Sequence, residues 1–371
     1  MPMRLSFLVI LAALAALAGC AAAPAPAPAP PAAGALVIAH RGHSAERPEH
    51  TLEAYRVAIA LGADMVEPDL VMTRDGMLVA RHENEIGGTT DVGERPEFAS
   101  RRTTRTIDGA PVTGWFTEDF TLAELKTLRA RERIPQLRPT DHDGRYEVPT
   151  WEEIVALVAE AAEREGRTIG LVPEIKHGSY FASIGLPMED ALLDAIQAHP
   201  YTRRAPVWIQ SFEVANLRAL RARLGPARGN VRLLQLLGAP DGRPWDAASA
   251  GRDLTYGAMA TPAGLREVAG YADGIGPPSR LVIPLDADGA LGAPTALVRD
   301  AHAAGLLVMP YTFRPENAFL PPALAAGGPP QARNPEGSVA EIRAHLDAGI
   351  DGFFSDDVAL GRQAVDGRFE E

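Results

Sequence analysis

A chain of 371 residues, 46% hydrophobic and 23% charged, has the composition of a soluble globular protein with a large core, which excludes global disorder. Its formal net charge of −12 excludes a broad basic face for nucleic acid or an anionic membrane surface, so any phosphate has to be captured locally. The only cysteine is Cys20, so no intramolecular disulfide can form.

In chain order, Arg4 precedes an apolar run over residues 5–17, and Leu17-Ala18-Gly19-Cys20 closes it. That pattern fits an export signal and is too short for a membrane span. Leu-Ala-Gly-Cys resembles a bacterial lipobox, which implies removal of residues 1–19, lipidation of Cys20 and a periplasmic, membrane-anchored lipoprotein. Residues 21–34, AAAPAPAPAPPAAG, favour an extended spacer with nothing to pack, so residues 20–34 read as a tether and 35–371 as the folded domain.

From residue 35 short apolar runs alternate with amphipathic stretches. Nine runs read as strands: residues 36–39, 65–69, 78–82, 170–175, 207–211, 231–236, 273–277, 306–311 and 351–355. Helix signals separate them. Thr51 caps 52–61 before Gly62; Thr121 with Glu124 and Thr150 with Glu153 form capping boxes, the first opening a helix over TLAELKTLRARE; stretches 295–304 and 338–348 end at Gly305 and Gly349. Two long segments, 84–120 and 314–335, break the alternation, and loops of that length tend to be functional.

The stretch MVEPDLVMTRDGMLVARH, residues 65–82, contains Thr73-Arg74-Asp75-Gly76, which is turn chemistry, so its two apolar runs predict an antiparallel hairpin. One of the nine strands is then a return strand, and the remaining eight predict an α/β fold of the (β/α)8 TIM-barrel type, with an inserted segment after the hairpin. A turn centred on Arg74 and Asp75 pairs positions summing to 149, which sets Glu67 opposite His82. Glu67 and Asp69 share a face and interrupt an apolar strand, where unpaired charge is expensive and a cation would offset the cost.

In a barrel, polar residues at the C-terminal ends of strands converge on one mouth. The first strand ends in His40-Arg41, the hairpin carries Glu67, Asp69 and His82, the fourth run ends in Glu174-Ile175-Lys176, and the fifth in Gln210-Ser211. The isolated His43, His142, His199, His302 and His345 read as structural. Three carboxylates without cysteine suit Ca²⁺ or Mg²⁺, Arg41 and Lys176 are donors fit for a phosphate, and two unoccupied histidines suit a general acid and base. Together they point to phosphoryl transfer to water or a hydroxyl. Neither a Gly-rich loop ending in Gly-Lys-Ser/Thr nor a Gly-x-Ser-x-Gly elbow is present, which disfavours a P-loop NTPase and a serine hydrolase.

LVIAHRGHSAERPEHTLEAYRVAIALGADMVEPDLVMTRDGMLVARHE resembles the opening of the glycerophosphodiester phosphodiesterase family, in particular its bacterial periplasmic, calcium-dependent branch. The similarity continues through TDV, FTLAELK, PEIKH, QSFE, YADGIGP and PYTFR, over about residues 36–357. It implies a barrel that hydrolyses small-molecule glycerophosphodiesters, deacylated phospholipids such as glycerophosphocholine, to glycerol 3-phosphate and an alcohol. It further implies His40 and His82 as the catalytic pair, Glu67, Asp69 and Glu174 as metal ligands, and Arg41 and Lys176 as phosphate contacts. Glu83 stands where the family usually has Asp, and Pro68 sits between the paired ligands. Alternative readings are an enzyme on intact lipids, resembling phosphatidylinositol-specific phospholipase C or sphingomyelinase D, and a surface lipoprotein using the barrel as a binding scaffold.

Overall fold

The computed structural model describes residues 34–225, 229–325 and 327–367. The signal, Cys20 and the tether up to residue 33 lie outside them. The strands are β1 (Leu36–His40), β2 (Met65–Glu67), β3 (Asp69–Met72), β4 (Leu78–Ala80), β5 (Thr103–Ile107), β6 (Ala110–Gly114), β7 (Gly170–Leu171), β8 (Glu174–Ile175), β9 (Val207–Ser211), β10 (Val231–Leu236), β11 (Gly274–Gly276), β12 (Leu307–Val308) and β13 (Gly352–Ser355). A parallel path runs β12-β11-β10-β9-β7-β2-β1-β13. Asp351 N donates to Val308 O at 2.9 Å, Phe354 N to Pro310 O at 3.0 Å and Phe313 N to Phe354 O at 2.9 Å, so the first and last strands of the path meet and the barrel closes. All nine strand runs expected from the sequence contain strand, and the barrel is the expected one.

Pro68 cannot donate to a ladder. It divides one long strand into β2, which pairs with β1 and β7, and β3, which pairs with β4 and β8. The β3–β4 hairpin is antiparallel as expected, but its register is not. Leu70 faces Ala80, Val71 faces Val79 and Met72 faces Leu78, a sum of 150 rather than 149. Gly76 takes a left-handed φ of +78°, and Thr73 N bonds Met77 O at 3.0 Å. The loop therefore holds three residues instead of two, as when a left-handed glycine follows a type I turn. Arg81 N donates to Asp69 O at 3.0 Å, so His82 returns at the level of Pro68 and not opposite Glu67.

Both capping boxes form, at Thr121/Glu124 and Thr150/Glu153; such caps contribute about 1 kcal/mol each. The second opens a helix over Trp151–Glu165, ended by left-handed Gly166. The first opens only Leu122–Leu125, much shorter than the expected helix. Beyond it the chain is drawn into loop pairings: Ala130 N donates to Tyr146 O at 2.8 Å and Arg131 N to Thr89 O at 2.9 Å. Tertiary pairing overrides local propensity there. Segment 84–120 is not structureless; β5 and β6 form a separate two-stranded hairpin within it. Among the described residues no helix is long and apolar enough to cross a membrane.

The large core lies between the barrel and its helices, while Ile38, Met65, Val172, Trp208, Leu234, Leu236, Met309 and Phe354 fill the barrel interior. Alternation then decides what lies above this floor, because residues two apart on a strand share a face. Ile38 leads to His40, Met65 to Glu67, Val172 to Glu174, Trp208 to Gln210 and Phe354 to Asp356, and each of these polar residues is buried.

Candidate active site

One cavity of about 250 Å³ at the C-terminal mouth is lined by His40, Arg41, Glu67, His82 and Glu174, among others. Asp69 and Lys176 adjoin it: the ligand atoms of Glu67, Asp69 and Glu174 lie within 4.8 Å of one another, and Lys176 Nζ is 3.2 Å from Glu174 Oε1. All seven barrel residues singled out from the sequence are thus brought together, although they span positions 40 to 176.

Gly42, with φ +89°, is required for this placement, because a Cβ there would stand 2.6 Å from Ala54. Among the described residues the non-glycines with positive φ are Arg41 (+60°), His50 (+56°), Asp108 (+47°) and His177 (+49°). All four belong to the site or to the bonds that support it, and such strain costs on the order of 1–3 kcal/mol each.

The three carboxylates make an oxygen-only set that fits a hard cation. His50 Nε2 bonds Asp69 Oδ2 at 2.9 Å, while Tyr55 holds the other ring nitrogen at 2.8 Å. Asp69 Oδ1 is buried and has no partner, a cost that a cation would remove. Burial, outweighed by His50, Lys176 and Arg41, leaves the Asp69 carboxyl well below the usual range. Burial and the Asp69 charge push Glu67 well up. Glu174 rises to about 8 through burial and Asp69, against the opposing pull of Lys176.

The two histidines each face a carboxylate. His40 Nδ1 lies 2.5 Å from Asp356 Oδ1, and His82 Nδ1 lies 2.8 Å from Glu83 Oε1. Asp356 is held in turn by Arg138 Nη2 at 2.6 Å and Arg314 Nε at 3.1 Å. Burial and Arg41 lower His40 to about 4; burial, Arg41 and Lys176 lower His82 to about 3, so both rings are neutral at pH 7. Glu83 reaches past His82: its Oε2 is 2.8 Å from His177 Nε2, whose Nδ1 is 2.7 Å from Asp108 Oδ2 on the β5–β6 turn. The inserted hairpin therefore supports His82 through a chain of three bonded side chains.

That chain predicts a stability change with pH. Burial would lower His177, but Asp108 and Glu83 outweigh it and raise it to about 9 from 6.5. A raised histidine stabilises the fold fully below 6.5 and loses that contribution as pH rises through about 9. His177→Gln should lower the unfolding free energy at pH 6.5 by up to about 3 kcal/mol, seen as a lower melting midpoint, with the gap closing near pH 10. An equal deficit at both pH values in thermal melts would refute it.

Sequence reasoning missed His50, Glu49, Asp356, His177, Arg133 and Arg314. Asp356 was readable, being two beyond an inward Phe on a strand end. Arg133 and Arg314 sit in irregular segments with no periodic signal. None of the five isolated histidines lines this cavity; His302 Nε2, for example, bonds Asp351 at 2.8 Å.

Arg41 N donates to Glu67 Oε2 at 2.8 Å, and its Nη1 to Glu49 Oε2 at 2.9 Å. Its Nε is buried without a hydrogen-bond partner and lies 3.4 Å from Asp69 Oδ2. A cavity with acids at its base, guanidinium and ammonium groups beside them and two neutral imidazoles at its walls can take an anionic phosphodiester and move protons at it.

Comparison with known proteins agrees with this chemistry. Residues 40–360 match the model of the glycerophosphoryl diester phosphodiesterase family. A glycerophosphodiester phosphodiesterase of Arabidopsis thaliana is 33% identical over 299 residues, 76% of this chain and 75% of that protein. One from Haemophilus influenzae is 28% identical over 75% of this chain and 79% of its own length. Among solved structures, one from Silicibacter pomeroyi has a TM-score of 0.60 at 21% identity, covering 90% of this chain and 93% of that one. An Oleispira antarctica phosphodiesterase in complex with the product sn-glycerol-3-phosphate has a TM-score of 0.52 at 19% identity, covering 89% and 96%. With the family model spanning nearly the whole barrel, the chain belongs to the glycerophosphoryl diester phosphodiesterase family.

Proposed function

We propose that this phosphodiesterase hydrolyses glycerophosphodiesters to glycerol 3-phosphate and an alcohol at the mouth of the barrel, with a divalent cation held by Glu67, Asp69 and Glu174. The observation that carries the reading is the convergence of His40, Arg41, Glu67, His82 and Glu174 on a single cavity, with the partnerless Asp69 Oδ1 beside them. The cation, Ca²⁺ with Mg²⁺ as the alternative, would supply a Lewis acid for the charge that develops on the phosphoryl oxygens. Arg41 and Lys176 bind the phosphate; the Arg41 guanidinium, fixed by Glu49, presents a fork for two oxygens. His40 and His82 move the protons, one from the attacking oxygen and one to the departing alkoxide. Asp356 and Glu83 hold the imidazoles at Nδ1, which leaves Nε2 of each ring for the reaction.

The test is ³¹P NMR of the products from glycerophosphocholine. Glycerol 3-phosphate and choline are expected; phosphocholine with glycerol, or an unchanged substrate, would overturn the reading.

We also propose that the protein belongs to the periplasmic, calcium-dependent branch, exported by residues 1–19 and held at the membrane by a lipid on Cys20, with residues 20–34 as tether. The support is the Leu-Ala-Gly-Cys pattern and the placement of the single cysteine. Cys20→Ser should move the protein from the membrane fraction to the soluble one without changing its turnover; retention in the membrane fraction would dismiss the anchor.

A further inference from the structure

The His40 side of the cavity holds more positive charge than the hydrolysis of one phosphodiester uses. Arg133 and Arg314 both line it. Each donates a hydrogen bond through Nε alone, Arg133 to Glu49 Oε2 at 2.9 Å and Arg314 to Asp356 Oδ2 at 3.1 Å, and the Arg314 guanidinium also lies over the Phe319 ring, 4.7 Å from its centroid. Both acceptor atoms are shared, Glu49 Oε2 with Arg41 Nη1 at 2.9 Å and Asp356 Oδ2 with Arg138 Nη2 at 2.6 Å. Glu316 is occupied by Arg138 through both of its oxygens. Among the described residues no hydrogen bond uses Nη1 or Nη2 of Arg133 or Arg314. Burial lowers the Arg314 guanidinium, and Arg41, Arg138 and Arg133 add to this against the pull of Asp356.

Crowding cations at a partly desolvated wall is unfavourable unless an anion joins them. A guanidinium anchored by Nε presents its two terminal amines as a fork that matches phosphate oxygens. Arg41 and Lys176 already serve the scissile phosphate in the reading above, on which this inference rests. The chain as a whole is acidic, at −12, so its overall field repels polyanions and only a local wall can select one.

We propose that Arg133 and Arg314 bind a second anionic group, a phosphate or phosphodiester carried by the alcohol portion of the substrate. The enzyme is then selective for glycerophosphodiesters whose alcohol bears further phosphate over those with a neutral alcohol. Neither arginine lies on a barrel strand; Arg133 follows the Leu122–Leu125 helix and Arg314 opens the segment after β12. Selectivity is thus separated from the strand-end chemistry.

The experiment compares bis(glycerophospho)glycerol with glycerophosphoglycerol, which offer the same bond for cleavage and differ by one remote phosphodiester. Two equivalent ends give the larger substrate a statistical factor of two. The wild-type enzyme should favour it by about tenfold in kcat/KM, mainly through KM, and high salt should reduce the preference. Arg133→Gln and Arg314→Gln should each bring the ratio towards two, with Arg133→Lys retaining part of it. A wild-type ratio of two or less overturns the proposal, and so does a ratio that both Gln variants leave unchanged. Should the Gln variants lose activity on both substrates, the wild-type ratio and its salt dependence decide alone. A wild-type enzyme that cleaves neither substrate overturns the phosphodiesterase reading, whereas cleavage of both without preference overturns this inference only.

Discussion

Removing divalent cations should reduce turnover by about 10³-fold or more. Charge stabilisation by a bound cation contributes several kcal/mol, and about 4 kcal/mol corresponds to a factor of ~10³. Without a cation the three acids cannot all stay ionised at once, because burial and mutual repulsion press Glu67 up and hold Glu174 near 8. At pH 7 a cation must therefore displace a proton from the Glu67–Glu174 pair. The sign follows from the raised value. A carboxyl with a folded pKa near 8 and a reference value of 4.5 penalises the fold progressively as pH rises from 4.5 to about 8, and a cation relieves that penalty. Added Ca²⁺ should accordingly raise the unfolding midpoint more at pH 8 than at pH 6, and its affinity should weaken as pH falls below 8. Dialysis against chelator, followed by assays and melts with Ca²⁺ or Mg²⁺ restored, checks each part. Full activity in excess chelator would sink the metal dependence; equal midpoint shifts at both pH values would sink the proton displacement.

Replacing either His40 or His82 by alanine should cost roughly 10²- to 10⁴-fold on glycerophosphocholine. In-line displacement requires a proton taken from the attacking oxygen and one delivered to the departing alkoxide, so the two carriers act from different sides of the phosphorus. His40 arrives on β1 and His82 just past β4, each with its own carboxylate, Asp356 or Glu83. Both rings are neutral at pH 7, the form a base needs; the acid must gain its proton in the substrate complex, where the phosphodiester anion opposes the depression by Arg41 and Lys176. A nitrophenyl diester distinguishes the roles, since its leaving oxygen needs little protonation. The alanine variant of the acid should lose far less on this substrate than on the choline diester, and that of the base should lose a similar factor on both. Equal losses on both substrates for both variants, or near-wild-type rates on the choline diester for either, would refute the pairing.

The barrel was legible because its causes are local and periodic. Apolar runs of strand length, separated by capped helical stretches, report β/α alternation whatever the tertiary arrangement, and all nine runs contain strand. The polar strand ends were legible for the same reason: once a floor residue such as Ile38 or Val172 points inward, period two obliges His40 or Glu174 to do so as well. Sequence by itself therefore determined the eight-stranded barrel, the hairpin and the seven residues that meet at its mouth.

What it could not determine depends on a single left-handed residue or on segments without period. One glycine at +78° added a residue to the Thr73–Met77 loop and shifted the hairpin register from 149 to 150. The helix opened by Thr121 stopped at Leu125 because Thr89 and Tyr146, distant in sequence, supplied better partners for its tail. Asp356, 316 positions from His40, came to bond it only because the barrel closes β13 against β1. The bridge from His82 through Glu83 and His177 to Asp108 joins a return strand, a barrel strand end and an inserted hairpin. Arg133 and Arg314 reach the cavity from two irregular segments. Repeating chemistry along the chain decides which residues face the mouth, whereas the partners that orient them are set by closure and loop packing, which depend on contacts between residues tens to hundreds of positions apart and leave no pattern in either neighbourhood.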